Sequence, residues 1–380
     1  MSLQERVFTS LRAKRGNLIC KNNQNKTIFA DQIQKTMSNW FQNARPISLP
    51  QSLLPALTAV ALSYNAGGEF NWTAAIASIF GVALTHLGLN LLDDWFDYKN
   101  GSAEARQKVA NEGFRGRMIK YPYLTSGEAT PKQLLLAIAC YMLAAAVCGL
   151  IVIWSTGWNF MILAWVAAAL LVGVSYSGGP LKLGFRGLGE LVIFIMFGPL
   201  LMTGVYYAIT GTLDWKITWL SIAVGLLVTN IVYSHSVLDS IPDAKMGKKT
   251  MAHLMGSKSA QIALSATMNV IPYIMVIAGV VLWFISESKG ADTHLHPAYL
   301  SVLIVLPLSL WLVRSLNDYV NNVEVKTEIK PWMGPMGDFE AYRKAGVDWF
   351  LLRWLVARNI VQFFCLIIII VNFIVNFLAK

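Results

Sequence analysis

The chain has 380 residues, of which 55% are hydrophobic and only 14% are charged, and its formal net charge is +10. About a quarter of the residues of a typical soluble domain are charged. The composition therefore excludes an ordinary soluble enzyme. The four cysteines have no metal-ligand spacing, which argues against a zinc or iron–sulfur protein.

Apolar stretches dominate the chain, and each is about long enough to cross a bilayer core of ~30 Å. We predict nine membrane spans, at 48–66, 73–97, 133–155, 158–176, 187–210, 215–238, 260–285, 298–318 and 355–378. A single stretch of this kind could be a buried core helix, but nine in series favour a membrane protein. The predicted fold class is therefore an all-α integral membrane protein with nine transmembrane helices.

The basic residues predict the orientation of these spans. Nine spans place the connecting segments alternately on two sides, and nearly all Lys and Arg residues fall on the side of the N-terminus. Lys216, Lys289 and Lys380 are the exceptions. Because basic loops stay inside the cell, we predict a cytoplasmic N-terminus in a multi-pass protein of the cell (inner) membrane. The positive net charge is then a topology signal, and we predict no nucleic-acid partner.

The chain also predicts a simple domain organisation. Residues 1–40 are polar and lack the apolar core of a signal peptide, so we expect a cytoplasmic N-terminal extension. Residues 41–380 form the predicted membrane domain. Its long cytoplasmic connector, 317–353, is mixed in charge and is expected to contain a short surface helix.

An acidic motif ends the predicted second span. Asn90, Asp93, Asp94 and Asp97 are spaced so that a helix places them on one face, with His86 one turn earlier on the same stripe. Carboxylates are expensive to bury in an apolar environment. Their position at the end of a membrane helix therefore indicates a site.

A second acidic motif ends the predicted sixth span. His235, Asp239 and Asp243 follow at helical spacing, Pro242 is expected to kink or end the helix, and a basic turn follows at 247–250. The two motifs lie four spans apart and on the same predicted side. This arrangement predicts two four-helix halves plus one helix, with the cytoplasmic helix ends facing one site.

The chemistry of such a site depends on cations, because clustered carboxylates repel one another. Mg²⁺ takes oxygen ligands and is typically bound by one or two carboxylates together with substrate phosphates. We therefore predict Mg²⁺ and a diphosphate with a lipid tail, the tail lying among the helices. Further positive charge for the phosphates is available from Lys182, Arg186, Lys248 and Lys249.

Other functions fit parts of this pattern. A solvated helix end explains either acidic motif alone, and a membrane cation transporter could use the Asp and His stripes as a metal path. Transporter sites lie near the membrane midplane, whereas these residues cluster at one face. A membrane hydrolase or desaturase would need more His at metal-ligand spacing than the five present.

The paired motifs resemble those of the UbiA-type intramembrane prenyltransferases, over roughly residues 40–378. The matching patterns are Asn90-x-x-x-Asp94-x-x-Asp97 and Asp239-x-x-x-Asp243-x-x-x-Gly247-x-x-Thr250. Within this family, "ARPISLPQSLLPALTAV" and "NLLDDWFDYKNG" are most similar to the 1,4-dihydroxy-2-naphthoate polyprenyltransferase branch of menaquinone biosynthesis.

The resemblance implies an enzyme that transfers prenyl groups to an aromatic acceptor with the aid of Mg²⁺. It implies that Asp94, Asp97, Asp239 and Asp243 are the catalytic metal ligands. Candidate substrate-binding residues are Asn90, Asp93, Arg45, Lys182, Arg186, Lys248 and Tyr176. Tyr176 is one of several aromatic candidates for cation–π stabilisation of an allylic cation, together with Tyr206, Tyr207 and Trp95.

The sequence departs from this branch beside the second motif. The usual Asn-Asn-x-Arg is replaced by His235-Ser236-Val237-Leu238, and the usual Arg-Leu-Gly by Leu254-Met255-Gly256 with His253 nearby. Alternative acceptors within the same family are 4-hydroxybenzoate, a haem, a chlorophyllide or a glycerophosphate lipid.

Overall fold

The computed structural model describes residues 40–64, 66, 69–111, 121–179, 181–287, 294–323 and 328–378. The chain divides into two compact units, Met1–Pro46 and Ile47–Lys380. In the first unit the described residues form a helical turn, closed by a hydrogen bond of 3.0 Å from the Ala44 amide to the Trp40 carbonyl. The predicted domain boundary at residue 40 stays a prediction, because residues 1–39 lie outside the described residues.

The second unit is helical. Its α-helices are α1 (Pro50–Ser63), α2 (Trp72–Lys99), α3 (Ser102–Asn111), α4 (Pro122–Thr125), α5 (Pro131–Ser155), α6 (Met161–Ser177), α7 (Gly189–Thr210), α8 (Trp215–Leu238), α9 (Ser240–Lys245), α10 (Met251–Leu254), α11 (Lys258–Glu287), α12 (Pro297–Val320), α13 (Phe339–Lys344) and α14 (Asp348–Leu378). The first nine residues of α12 form 3₁₀ turns. Short 3₁₀ turns also lie at Leu183–Phe185 and Pro331–Met333.

Seven of the described helices are long and apolar enough to cross a membrane: α2, α5, α7, α8, α11, α12 and α14. They coincide with seven of the nine predicted spans. The other two predicted spans correspond to α1, with 14 residues, and α6, with 17 residues. A helix normally needs about 20 apolar residues to span a bilayer. The count of nine spans, and the side of the N-terminus, stay predictions.

Helix starts follow the capping residues of the sequence. Asn71 accepts a hydrogen bond of 2.9 Å from the Ala74 amide at the start of α2, and Asp214 accepts one of 2.8 Å from Ile217 at the start of α8. Thr130 and Gln133 form a reciprocal capping box at the start of α5. Each cap satisfies backbone N–H groups that a helix start leaves without partners.

A π-helical turn interrupts α7 at Met196–Leu200 and contains Gly198 and Pro199. Proline has no N–H to donate, so the regular hydrogen-bond ladder shifts at this point. The turn packs against α8, where a Cβ built on Gly198 would lie 2.6 Å from the Gly225 Cα. Glycine at both positions therefore lets the two backbones touch.

Helix α8 is the centre of the bundle. Of its most apolar 18-residue window, 72% is buried, compared with 22% for α5, which presents most of its surface outward. Each helix that carries an acidic motif packs along the next long helix, α2 along α5 and α8 along α11. The two halves stay a prediction. The ends of α2, α6 and α8 position the acidic motifs described next.

Candidate active site

The acidic residues at the end of α2 are held by side chains from later segments. Asp94 is fully buried and accepts a hydrogen bond of 2.9 Å from the Tyr123 hydroxyl in α4. Asp93 accepts a hydrogen bond from the Ser177 hydroxyl at the end of α6. Asp97 is buried one turn further on. Helical spacing thus places the carboxylates on neighbouring positions, and α4 and α6 fix their orientation.

Asn90 belongs to a polar network on the same face of α2. Its side-chain amide donates to the Ser48 hydroxyl at 3.0 Å, and that hydroxyl lies 3.0 Å from Nε2 of His86. Nδ1 of His86 lies 2.6 Å from the Ser52 hydroxyl in α1. The predicted polar stripe therefore exists, and it joins α2 to the start of α1.

The second motif lies at the junction of α8 and α9. Asp239 is 1% exposed and Asp243 is 3% exposed, so both carboxylates are withdrawn from solvent. Nε2 of His235 lies 3.3 Å from an Asp239 carboxylate oxygen, and Nζ of Lys248 lies 3.6 Å from one of Asp243. Both acidic side chains thus have a basic partner from their own segment.

A backbone ladder joins the loop after α6 to the basic turn after α9. The Gly187 amide donates to the Lys249 carbonyl at 2.9 Å, and the Lys249 amide donates to the Phe185 carbonyl at 3.2 Å. Gly187 has a φ of +82°, a conformation that non-glycine residues rarely adopt. This ladder fixes the position of Lys248, which also lies over the Phe185 ring at 5.9 Å.

These segments line a small open cleft of ≈ 90 Å³. Residues from both motif regions line it, among them Asp97, Asn100, Tyr176, Ser177, Met246 and Lys248. Lys248 pairs with Asp243, so the cleft connects the first acidic motif to the second. That both acidic helix ends contribute to one site stays a prediction.

The charge at the cleft suits a divalent cation. The four predicted ligands Asp94, Asp97, Asp239 and Asp243 are all buried and offer carboxylate oxygens, the donor type that Mg²⁺ prefers. Within the described ranges, no three His, Cys, Asp or Glu side chains approach closely enough to hold a metal ion by themselves. Substrate phosphates would have to supply the remaining oxygen ligands, and the ligand set stays a prediction.

The other predicted substrate-binding residues are distributed unevenly. Tyr176 lines the cleft, and Lys182 donates at 2.9 Å to Asn100, which also lines it. Arg186 has an exposed side chain, and its backbone forms the bridge to Lys249. Arg45 belongs to the first compact unit, so its role stays a prediction.

Among the described residues, the remaining aromatic candidates Tyr206, Tyr207 and Trp95 do not line the cleft. The Tyr206 hydroxyl donates a hydrogen bond to the carboxylate of Asp214, which lies at the start of α8, the end opposite Asp239. The Tyr207 hydroxyl accepts a hydrogen bond of 3.4 Å from the side-chain amide of Asn159, just before α6. Nζ of Lys99 lies over the Trp95 ring, 4.9 Å from its centroid. Tyr176 is therefore the aromatic candidate that the geometry favours.

Several site residues were not identified from the sequence. Tyr123 and Ser177 hold motif carboxylates, and buried Glu190 accepts hydrogen bonds from the Ser236 hydroxyl at 2.7 Å and from the Met251 amide at 3.3 Å. Ser236 stands where the family branch has asparagine, so that position still makes a polar contact. The local sequence does not predict these contacts, because the partners are distant in sequence.

The comparison with family models decides the classification. A model of the UbiA prenyltransferase family matches residues 52–326. The chain belongs to the UbiA prenyltransferase family. The family predicted from the two motifs is thereby confirmed, and the chain is a transferase of prenyl groups in a multi-pass helical membrane fold.

Curated relatives of this prenyltransferase cover most of its membrane region. It is 26% identical to the 1,4-dihydroxy-2-naphthoate octaprenyltransferase of Mycobacterium tuberculosis, over 64% of this chain and 80% of the relative. It is 28% identical to the enzyme of the same name from Bacillus subtilis, over 69% of this chain and 78% of the relative.

A solved structure supports the fold. The UbiA homolog from Archaeoglobus fulgidus bound to GPP and Mg²⁺ superimposes on this prenyltransferase with a TM-score of 0.50. The alignment covers 87% of this chain and 99% of the homolog, at 14% sequence identity. At that identity the likeness concerns the arrangement of helices alone.

Proposed function

We propose that this prenyltransferase moves a polyprenyl group from polyprenyl diphosphate to 1,4-dihydroxy-2-naphthoate in a Mg²⁺-dependent reaction of menaquinone biosynthesis. The observation that carries the proposal is the cleft that Asp97 and Lys248 share. It combines the buried carboxylate of Asp97 with the ammonium group of Lys248, which pairs with the buried Asp243. A diphosphate needs this mixture, because metal ions and ammonium groups both bind phosphate oxygens.

In this proposal, Asp94 and Asp97 hold Mg²⁺ from the first motif, and Asp239 and Asp243 hold it from the second. When bound, Mg²⁺ neutralises the diphosphate and so makes it a better leaving group. Asn90 and Asp93 support the first motif. The active site faces the cytoplasm, as the positive-inside pattern predicts.

The residues of this chain have separate tasks in the transfer. Lys248 offers its ammonium group to the diphosphate, and Lys182 supports the wall of the cleft through Asn100. As the bond between the allylic carbon and the diphosphate oxygen breaks, positive charge develops on the prenyl group. The Tyr176 ring at the cleft stabilises that charge through its π-face. The apolar chain stays among the helices.

The acceptor then completes the reaction. The electron-rich ring of the naphthoate forms a carbon–carbon bond to the allylic cation at the carbon that bears the carboxylate. Loss of CO₂ returns an electron pair to the ring and restores its aromaticity. The 1,4-dihydroxy-2-naphthoate octaprenyltransferases among the relatives support this acceptor.

The experiment uses purified protein in lipid nanodiscs with Mg²⁺, farnesyl diphosphate and separate acceptors. These are 1,4-dihydroxy-2-naphthoate, 4-hydroxybenzoate, a haem, a chlorophyllide and a glycerophosphate lipid. Diphosphate release is measured together with the mass of the lipid product. Asp97→Asn and Asp243→Asn are compared with Asp338→Asn, which removes charge from the N-cap of α13 in the connector.

We expect prenylated naphthoquinol from the wild type and from Asp338→Asn. We expect none from Asp97→Asn, from Asp243→Asn or after addition of EDTA. A product with another acceptor alone would replace the naphthoate in the proposal. Full activity of both site variants would contradict the proposed metal ligands.

A further inference from the structure

The backbone on both sides of Asp239 is held by side chains from other helices. The hydroxyl of Tyr319, in α12, donates a hydrogen bond of 2.9 Å to the Leu238 carbonyl. Nε2 of His253, in α10, lies 2.6 Å from the Ser240 carbonyl. A carbonyl oxygen only accepts, so Nε2 carries the proton in this contact. The two carbonyls that flank Asp239 are therefore fixed from outside its own helix.

The sequence explains why the first carbonyl needs such a partner. In a continuous helix, the Leu238 carbonyl would accept from the amide four residues later. That residue is Pro242, which has no N–H group. The Tyr319 hydroxyl takes the place of the missing amide. Pro242 thus breaks the helix beside Asp239, and Tyr319 stabilises the break.

The Tyr319 ring is itself fixed in position. It stacks on Trp349 with a centroid separation of 5.6 Å and an interplanar angle of 9°. The guanidinium carbon of Arg353 lies 5.3 Å from the ring centroid. Buried Arg353 in turn donates to the Ser315 carbonyl at 3.1 Å and to the Trp349 carbonyl at 2.6 Å. These contacts hold the ring with its hydroxyl at the Leu238 carbonyl.

His253 is fixed through its other nitrogen. Nδ1 accepts a hydrogen bond of 3.1 Å from the Thr250 amide and lies 2.9 Å from the Thr250 hydroxyl. Thr250 is 3% exposed and follows the basic turn that carries Lys248. His253 therefore closes the segment 240–253 into a loop that carries Asp243 and Lys248.

We propose that Tyr319 and His253 are positioning residues that set the direction of the Asp239 carboxylate for a divalent cation. This inference rests on the proposed function, which makes Asp239 a metal ligand. The direction of a short side chain such as aspartate follows from the placement of its backbone. Loss of either contact then lowers metal affinity without removing any ligand atom.

The test measures the affinity of the purified protein for Mn²⁺ by electron paramagnetic resonance. The protein is held in nanodiscs with geranyl S-thiolodiphosphate, a diphosphate that reacts very slowly. Tyr319→Phe removes one hydroxyl and keeps the stacked ring. His253→Asn keeps an acceptor near the position of Nδ1 but is too short for Ser240, whereas His253→Gln places an amide N–H near the position of Nε2.

We expect Tyr319→Phe and His253→Asn each to weaken Mn²⁺ binding by about three- to tenfold, the usual effect of one hydrogen bond. We expect His253→Gln to stay close to the wild type. Tyr273→Phe is the matched control, because it also removes a buried hydroxyl contact, at 2.7 Å to Ser309 between α11 and α12. It should lower thermal stability and leave Mn²⁺ affinity unchanged.

The outcomes separate this inference from the function on which it rests. Unchanged Mn²⁺ affinity in both Tyr319→Phe and His253→Asn overturns the positioning role, whatever their thermal stability. A wild type that binds Mn²⁺ with the diphosphate but prenylates no acceptor contradicts the proposed function, while the variants still decide the positioning role. A wild type that binds no Mn²⁺ overturns both.

Discussion

The Tyr123 hydroxyl donates a hydrogen bond of 2.9 Å to the carboxylate of Asp94, across 29 positions of the chain. Both side chains are buried, so water does not compete strongly for this contact. Helix α4, which carries Tyr123, has only four residues. The short helix α4 thus orients Asp94, a candidate metal ligand.

Tyr123→Phe is expected to raise the Mg²⁺ concentration for half-maximal activity by about tenfold, because partners that orient a metal ligand typically contribute 10- to 100-fold. Activity at saturating Mg²⁺ should fall much less. The measurement is the initial rate of diphosphate release against Mg²⁺ concentration. Tyr141→Phe is the control, since that hydroxyl makes no hydrogen bond within the described part of the chain. An unchanged half-saturation in Tyr123→Phe would contradict the assignment of Asp94.

Lys248→Met is expected to raise the KM for prenyl diphosphate by roughly 10- to 100-fold, the range for a hydrogen bond to a charged group. The variant removes the ammonium group that lines the cleft and pairs with Asp243. Lys248→Arg, which keeps the charge, should restore part of the affinity. Lys258→Met at the start of α11 is the matched control. Equal KM values in the two Met variants would show that Lys248 does not bind the diphosphate.

Gly198→Ala is expected to destabilise the fold by about 1–3 kcal/mol or more, the usual cost of overpacking. The new methyl group would lie 2.6 Å from the Gly225 Cα and 2.6 Å from the Ser221 carbonyl oxygen, and backbone atoms cannot rotate away. Thermal unfolding in detergent measures the effect. Gly149→Ala, in α5, has no neighbouring atom within 4 Å and should be neutral or slightly stabilising. Similar melting temperatures for both variants would contradict the close approach of α7 and α8.

Gly334→Ala is expected to release the connector from α14. Gly334 has a φ of 85° and a ψ of −166°, a region that almost only glycine adopts. A Cβ there would lie 2.7 Å from the Phe363 ring and 3.0 Å from the side-chain nitrogen of Asn359. That nitrogen donates hydrogen bonds to the Met333 and Pro335 carbonyls at 2.8 and 3.0 Å.

Limited proteolysis tests the connector directly. Cleavage within residues 328–347 should become faster in Gly334→Ala. Gly346→Ala is the control, because its φ of 67° brings backbone strain while its Cβ meets no atom within 4 Å. Equal cleavage rates in the two variants would show that the close packing of Gly334 on Phe363 and Asn359 does not hold the connector.

The sequence predicts those features that depend on local periodicity. The spacing of Asn90, Asp94 and Asp97 places them on one helix face, and Asp94 and Asp97 are buried together at the end of α2. The apolar stretches correspond to helices, and the expected short helix in the connector is confirmed as α13. Hydropathy and helical spacing act between near neighbours, so a single sequence reveals them.

Contacts between side chains of different helices cannot be predicted from local periodicity. Nothing around Tyr123 indicates Asp94, and nothing around Tyr319 indicates Leu238, because each contact depends on how separate helices pack. Pro242 gave the one available signal, since it leaves the Leu238 carbonyl without its helical donor. The sequence could therefore predict that a partner was needed, but it could not predict which side chain supplied it.

Helix α6 has a consequence for how a lipid-tailed molecule arrives. Its 17 residues rise by roughly 26 Å, less than a hydrocarbon core of about 30 Å, so a bilayer that α6 spans, as the sequence predicts, must thin beside it. Leu170, Leu171 and Val174 are exposed along the helix, which ends at Tyr176 and Ser177 in the cleft wall. A polyprenyl chain would then enter from the bilayer along this exposed apolar surface of α6. Its diphosphate would reach the carboxylates while the chain stays in the membrane. In the proposed function, bilayer thickness would therefore affect the rate at which the substrate enters.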